Sequence, residues 1–353
     1  MLFCPFCRTL KPNMSKKRNF RHMIVTVVLL CALCALFFFN ACGGNAYASK
    51  TFFAMDTVMS ASVEGDSALL DRIEEIAAAL EKKLSVTNPS GVVYALNERG
   101  DVLTDEECAA LIRKSVELSL RTNGAFDITV YPLVKSWGFT TGENRVPTDE
   151  EIGTILPLIG YQRIHTEGNV SLQGGTEIDL GGIAKGYLTD VVVAFLKREG
   201  VKSATLNFGG NVYVLGKKNG KTDWKVALSS PDENGYAGIL TVSDRAVITS
   251  GNYERYFDRD GVRYGHIIDP VTGRPCDNDL LSVTVVGENG TECDAFSTAL
   301  FVMGREKATA FARENGLSVV LIDKEKKTYV TRSLSGVYTQ DEAYVPYGLE
   351  VIE

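Results

Sequence analysis

Apolar positions change period along this 353-residue chain, and the changes mark its elements. A strand is predicted over residues 51–63. A helix is predicted over 67–84, where Leu70, Ile73, Ala77, Leu80 and Leu84 recur at three- and four-residue spacing and so share one face. A second helix is predicted from Thr104 to about Thr122, because Thr104 followed by Glu107 has the form of a capping box. Thr148 with Glu151 repeats that signal. From residue 161 onward the pattern turns strand-rich. Residues 161–166 with 169–173, and 204–208 with 212–215, are short paired runs joined by glycine-containing turns, which predicts hairpins and hence antiparallel sheet. Helices are predicted again over 183–198, 294–303 and 305–315, with two strands closing the chain. Strands and helices do not alternate regularly, so the predicted class is α+β, antiparallel sheets with packed helices, rather than a parallel βαβ fold. No internal repeat or low-complexity segment interrupts the pattern.

The first fifty residues read as targeting rather than structure. Residues 14–22 carry Lys16, Lys17, Arg18 and Arg21, and residues 23–39 are an uncharged apolar run ending at Asn40-Ala41-Cys42. A basic stretch, an apolar core and a small residue before a cleavage point are the parts of a signal peptide. Residues 1–41 are therefore expected to be an export signal, with 1–13 upstream of the true start. Ala41-Cys42 resembles the lipidation site of bacterial lipoproteins, so Cys42 is expected to carry the lipid and residues 42–50 to form the tether. The folded body, residues 51–353, would then sit on the extracytoplasmic face of the bacterial cytoplasmic membrane. An uncleaved signal anchor is the alternative, since this apolar run is at the short limit for a span; both put the body outside the cytoplasm.

Composition then restricts the ligands. Hydrophobic residues make up 45% of the chain, enough for one large core or two fused ones. The formal net charge is -7, but six of the 37 Lys and Arg lie before Cys42, and without them 31 basic residues face 44 acidic ones. So acidic a body excludes a nucleic-acid surface, which needs clustered positive charge. A phosphate ligand would have to be met locally, by a cation or by backbone amides. Of eight cysteines, four precede Cys42, and Cys4-x-x-Cys7 has no further pair at zinc-ligand spacing. Cys108, Cys276 and Cys293 are too few and scattered for a disulfide framework.

The segment Ile178-Asp179-Leu180-Gly181-Gly182-Ile183-Ala184-Lys185-Gly186 puts a carboxylate at a strand end, two glycines at a turn and a lysine in the first turn of a helix. Glycines let backbone amides approach a ligand, and a helix N-terminus favours an anion, so a phosphate or diphosphate site is one reading and a tight strand-to-helix turn the other. Neither a P-loop nor a G-x-G-x-x-G fingerprint is present. Other segments join it in order: Met55-Asp56-Thr57, Gly124-Ala125-Phe126-Asp127-Ile128-Thr129-Val130, Trp137-Gly138-Phe139 and Asn207-Phe208-Gly209-Gly210-Asn211. Thr249-Ser250-Gly251-Asn252-Tyr253-Glu254-Arg255-Tyr256, His266-Ile267-Ile268-Asp269-Pro270 with Thr272-Gly273, and Asp294-Ala295-Phe296-Ser297-Thr298-Ala299 complete the set. Taken together, the body from about Thr51 to Val351 resembles the ApbE-type FAD:protein FMN transferases, with an ApbE-like (T-fold-like) body.

That resemblance implies an Mg²⁺-dependent transfer of FMN from FAD to a Thr or Ser hydroxyl of an acceptor protein, releasing AMP. It implies Asp294, Thr298 and the Ala184 carbonyl as Mg²⁺ ligands, and Met55, Thr87, Ala125, Phe126, Asp127, Asp179, Lys185, His266 and Ile267 as flavin-nucleotide contacts. Thr87 stands where the family often carries an aromatic. His266 stands where the family carries its proposed general base, and imidazole titrates near the working pH. Plain alternatives accompany several of these. Asp294 reads equally as a helix N-cap, Met55 and Phe126 as core residues, and His266 as a strand histidine bonded only to Asp269. A hydrolase using water to release FMN and AMP, and a non-enzymatic flavin-carrying lipoprotein, are the rival functions. The expected acceptor is a membrane or extracellular redox protein; the chain holds no Gly-Ala-Thr or Gly-Ala-Ser of the kind found around flavinylation sites, so it is not expected to be its own acceptor.

Overall fold

The computed structural model describes residues 47–100, 105–231 and 235–353; the expected export signal, Cys42 and residues 43–46 of the tether lie outside the described residues. The described chain begins as a hairpin of β1 (Tyr47–Ala54) and β2 (Thr57–Glu64). A single strand over 51–63 is what the sequence predicts. The break comes at Met55 and Asp56, which both take the left-handed conformation, with φ of 50° and 57°. Two successive left-handed residues make the tight turn whose twist matches paired strands. Neither is Gly or Asn, the usual signals.

Helices α1 (Ala68–Leu84), α2 (Val92–Arg99), α3 (Glu106–Arg121), α4 (Tyr131–Trp137) and α5 (Asp149–Ile155) follow. All five predicted apolar positions of α1 are buried. At α3 the cap differs from the prediction. Thr104 lies outside the described residues, Asp105 accepts the Cys108 N–H at 2.9 Å, and Glu107 instead accepts from Lys83 and the Tyr187 hydroxyl. The Thr148–Glu151 capping box at α5 forms in both directions. Of the hairpin expected at 161–173, only β3 (Ile164–His165) and β4 (Ser171–Leu172) pair, because Tyr161–Arg163 closes into a 3-10 turn.

Helix α6 (Ala184–Arg198) leads into the hairpin of β5 (Ala204–Phe208) and β6 (Asn211–Leu215). Next come β7 (Trp224–Ser229), β8 (Tyr236–Val242), β9 (Arg245–Gly251), β10 (Tyr256–Arg259), β11 (Val262–Gly265) and β12 (Leu280–Gly287). Helices α7 (Gly290–Met303) and α8 (Arg305–Glu314) precede β13 (Ser318–Asp323), β14 (Thr328–Thr331), β15 (Tyr338–Gln340) and β16 (Leu349–Ile352), four closing strands where two were expected. Helix α7 also starts four residues before the predicted position. Asn289 caps it by accepting the Glu292 N–H at 2.8 Å, and Asp190 of α6 accepts the N–H groups of Gly290 and Thr291 at 2.6 and 2.8 Å.

Nine strands form one sheet in the order β1-β2-β5-β6-β9-β12-β13-β14-β16, antiparallel throughout except for the parallel pair β14–β16. Helices α1, α6, α7 and α8 cover one face, and Phe52, Met59, Phe208, Ile248, Val283 and Phe296 belong to the core between. Ten of the fourteen residues of α7 are buried, so this helix runs through the core and any polar group on it needs a partner. The opposite face carries a second, smaller core: Val214, Val247, Val286 and Val320 of the large sheet pack on Val226, Leu228 and Leu240 of a three-stranded sheet ordered β15-β8-β7. The fold is therefore α+β, with helices, a long sheet and a short sheet stacked as three layers.

Candidate active site

At the ends of β5, β6 and β9 the layers leave a cavity of about 990 Å³. Met55, Thr87, Ala125, Phe126, Asp127, Asp179, Ala184, Lys185, His266, Ile267, Asp294 and Thr298 all line it, although they come from six separate stretches of chain. Thr87 is exposed at the rim, whereas Phe126, Asp127, Ala184, Ile267 and Asp294 are buried in the wall.

The floor is the crossing of α6 and α7. A Cβ on Gly186 would lie 2.3 Å from the Gly290 carbonyl oxygen and 2.6 Å from Asp294 Cβ, so only glycine lets the two helices approach this closely. At that contact Asp294 Oδ2 accepts the Gly186 N–H at 2.8 Å. Asp294 lies within α7 and Asn289 caps the helix, so the alternative reading of Asp294 as N-cap is not what the fold adopts. Thr298, one turn on, has its hydroxyl 3.4 Å from that of Ser250, which also meets Ser297 at 2.8 Å. Gly182 packs beside this pair: a Cβ there would sit 3.3 Å from Phe126 and 3.7 Å from Thr298 Oγ1.

The sequence predicts a strand ending at Asp179, but residues 176–180 pair in no strand because side-chain and loop contacts replace a ladder, and the turn into α6 is held from outside. Asn97 of α2 exchanges two hydrogen bonds with the Ile178 backbone, at 2.9 and 2.8 Å, and the Asp179 N–H donates to Ile128 O at 2.7 Å. Asp179 Oδ1 then accepts the Gly181 N–H. Burial pushes the Asp179 carboxyl up, against the Gly181 bond and the charges of Arg255 and Lys185. Asp127 is differently occupied. Its oxygens accept Thr129 N–H and Oγ1–H and the Tyr161 N–H at 2.7–2.9 Å, so the carboxylate ties the 160–161 loop to the cavity wall and has little acceptor capacity left for a ligand. Burial raises its pKa all the same.

His266 follows β11, and an aromatic stack fixes that hairpin. Tyr264 lies 5.2 Å from Phe257 and 5.4 Å from Trp137, and the Trp137 indole donates to Gly273 O. The Trp137-Gly138-Phe139 motif thus supports the histidine from behind. His266 Nδ1 lies 3.1 Å from Arg255 O. A carbonyl only accepts, so Nδ1 carries the proton and Nε2 keeps its lone pair. Burial lowers its pKa to about 4, and the Lys185 charge adds to the effect. Asp269 is engaged with Val271 N–H and the Thr272 hydroxyl in its own turn, which removes the alternative of a histidine bonded to Asp269.

Three neighbours belong to segments quoted above but carry no role in the sequence reading. Glu254 and Arg255 project from the β9–β10 connection into the cavity, and Asn211 opens β6 on its wall. Burial pushes Glu254 up to about 7, with the charge of Asp294 adding and that of Lys185 opposing; its carboxylate reaches the lumen, where water screens part of these charges. Arg255 approaches Asp56 at 3.9 Å, linking the β1–β2 turn to the same connection. Glu254 was hidden because nothing in a charged exposed-looking turn marks a carboxylate as cavity-facing.

Among the described residues no three His, Cys, Asp or Glu side chains stand together as a metal site. The donors at the α6–α7 crossing are one carboxylate, one hydroxyl and one carbonyl, all hard oxygens. That set fits Mg²⁺, which takes few protein oxygens and shares the rest of its shell with water and substrate phosphate. A helix N-terminus bearing Lys185 faces the same space and fits an anion.

Fold and cavity together define an α+β protein whose large cavity offers hard oxygens for a cation and a helix N-terminus for an anion. Comparison with known proteins narrows it: residues 55–321 match the ApbE family, and the chain belongs to that family. It is 32% identical over 332 residues to the FAD:protein FMN transferase of Treponema pallidum, covering 85% of this chain and 91% of the relative. The FAD:protein FMN transferase of Escherichia coli is 30% identical, with 88% and 96% covered. Among solved structures, the ApbE protein of Thermotoga maritima superposes with a TM-score of 0.76 at 33% identity, covering 86% of this chain and 99% of that one. The flavin transferase ApbE of Vibrio cholerae does so at 0.74 and 29%, with 83% and 100% covered.

Proposed function

We propose that this chain transfers the FMN half of FAD to a Thr or Ser hydroxyl of an acceptor protein, with Mg²⁺ as cofactor and AMP as the leaving product. One observation carries it: residues from Met55 to Thr298 that the family resemblance assigns to flavin nucleotide, cation and base line a single cavity. The Treponema pallidum and Escherichia coli relatives support the transfer itself, since both bear that activity in their names.

The chain's own groups divide the work. The backbone amides at the α6 N-terminus and Lys185 bind the diphosphate and stabilise charge as it develops on the departing AMP oxygen. Asp294, Thr298 and the Ala184 carbonyl would hold Mg²⁺, whose contribution when bound is to neutralise diphosphate charge. His266 Nε2 accepts the proton of the acceptor hydroxyl, whose oxygen forms the new bond to the FMN phosphorus as the bond to AMP breaks. Met55 and Phe126 offer apolar surface for a flat ring system. Export and lipidation at Cys42 would place this reaction at the outer side of the cytoplasmic membrane, where a membrane or extracellular redox protein is the acceptor.

The test is incubation of the purified chain with FAD, Mg²⁺ and a peptide bearing Gly-Ala-Thr, read by mass spectrometry. FMN bound to the peptide with AMP released is expected. Free FMN with an unmodified peptide would make the chain a hydrolase, and unchanged FAD would make it a carrier.

A further inference from the structure

The residues assigned to FAD and its cation account for only one arm of the cavity. At about 990 Å³ it lies at the top of the size range of small-molecule sites. Its second arm runs round the Gly209-Gly210 turn onto the opposite face of the large sheet. There Asn207, Val212, Val247 and Thr249 form a floor, and Val226 to Ser229 of β7 form a side. The Asn207-Phe208-Gly209-Gly210-Asn211 segment, which has no part in the transfer chemistry above, is the saddle between the arms.

Two features of this arm point to an extended polypeptide. β7 ends its sheet: it pairs with β8 on one side and with no described strand on the other, so among the described residues its outer edge has no ladder partner for its N–H and C=O groups beside the groove. The saddle carries no side chains. Both glycines have positive φ, 63° and 91°, so the turn itself adds no side chain to the passage, which Thr57 beside Gly209 and Glu254 beside Gly210 flank. Phe53 and Val58 are cross-strand partners left 69% and 63% exposed next to the Met55–Asp56 turn that lines the cavity, an exposed apolar pair outside it.

We infer that the acceptor protein docks by strand addition: an extended segment pairs with the free edge of β7 over the Val212–Val247 floor and rounds the Gly209-Gly210 saddle, delivering its Thr or Ser hydroxyl to His266. Main-chain pairing supplies affinity without demanding a particular sequence, and the glycine saddle admits small residues next to the reacting one. The occupant is fixed by continuity, because this groove opens into the space that holds the reacting phosphate. The site rests on the transfer reaction proposed above.

Hydrogen–deuterium exchange on the full chain with FAD and Mg²⁺, with and without the Gly-Ala-Thr peptide, tests it. The peptide should slow amide exchange across 224–229 on the order of tenfold, and FAD alone should not. In parallel, Val212→Trp on the groove floor should raise the KM for the peptide on the order of tenfold while FAD affinity is retained. If that variant does not fold, exchange on the unaltered chain decides. A peptide that gains FMN while exchange at 224–229 is unchanged overturns the docking site and leaves the transfer reaction standing. Slow exchange there before any peptide is added, relieved by removing residues 42–46, overturns it in favour of the chain's own N-terminal segment. A peptide that gains no FMN while FAD stays whole removes both.

Discussion

His266 shows how one hydrogen bond and one neighbouring charge define a catalytic group. The Arg255 carbonyl fixes the proton on Nδ1, and burial with the Lys185 charge keeps the ring neutral down to about pH 4. In the unfolded chain the same ring titrates near 6.5. Between those values the folded chain binds fewer protons, so the stability this contributes is complete above pH 6.5 and is lost as pH falls through 4. Bound FAD brings negative phosphate next to Lys185 and so draws the imidazole pKa back up. The acid limb of kcat, which reports the complex, should therefore lie at higher pH than the acid limb of kcat/KM for FAD, which reports the free enzyme near pH 4; coincident limbs would contradict this. His266→Ala should lower kcat by about 10²–10⁴-fold with FAD binding intact, checked by transfer assay and calorimetry. An unaltered rate would remove the histidine from the chemistry.

Among elements, the α6–α7 crossing matters most, since it seats Gly186 of one helix, two residues on from Ala184, against Asp294 of the other. Gly186→Ala would drive a methyl into backbone at Gly290 and into Asp294 Cβ. It should cost about 1–3 kcal/mol in denaturant melts and raise the Mg²⁺ concentration needed for half-maximal activity. The β1–β2 turn should behave in the opposite sense. Met55 holds a left-handed φ that a side chain seldom adopts, a cost of order 1 kcal/mol or more. Met55→Gly should leave the melting temperature unchanged or higher while raising the KM for FAD. A fall in melting temperature with unchanged KM would mean that Met55 serves the hairpin rather than the ligand. These elements also mark the limits of the sequence. α1, α6, the β5–β6 hairpin and the Thr148–Glu151 cap were legible because period and capping residues are local signals. The Met55–Asp56 turn was not, since its residues are atypical for the conformation and its neighbours, Gly209 against Thr57 and Arg255 near Asp56, lie far away in sequence. The start of α7 was missed for a related reason: part of its cap, Asp190, lies a hundred residues upstream.

At the scale of the whole molecule, the cavity exists because a helix layer and a short sheet flank one long sheet and both stop short of its β5, β6 and β9 ends. Motif order in the sequence supplied every lining residue named at the outset, but not their division of labour. Asp127 is spent on the 160–161 loop, and Glu254 enters the cavity unannounced, because hydrogen-bond commitments and burial depend on chain segments far apart. Cys42 belongs to the same scale. Cys42→Ala should move the protein from the membrane to the soluble fraction while purified transfer activity is kept; persistence at the membrane would favour the signal anchor. The most direct test of the account is the crystal structure of the chain with FAD and Mn²⁺, located by its anomalous signal. The account predicts Mn²⁺ on Asp294 and Thr298, the diphosphate against the α6 N-terminus, and the FMN phosphorus facing His266. A diphosphate bound elsewhere, or a cation away from that helix pair, would contradict it.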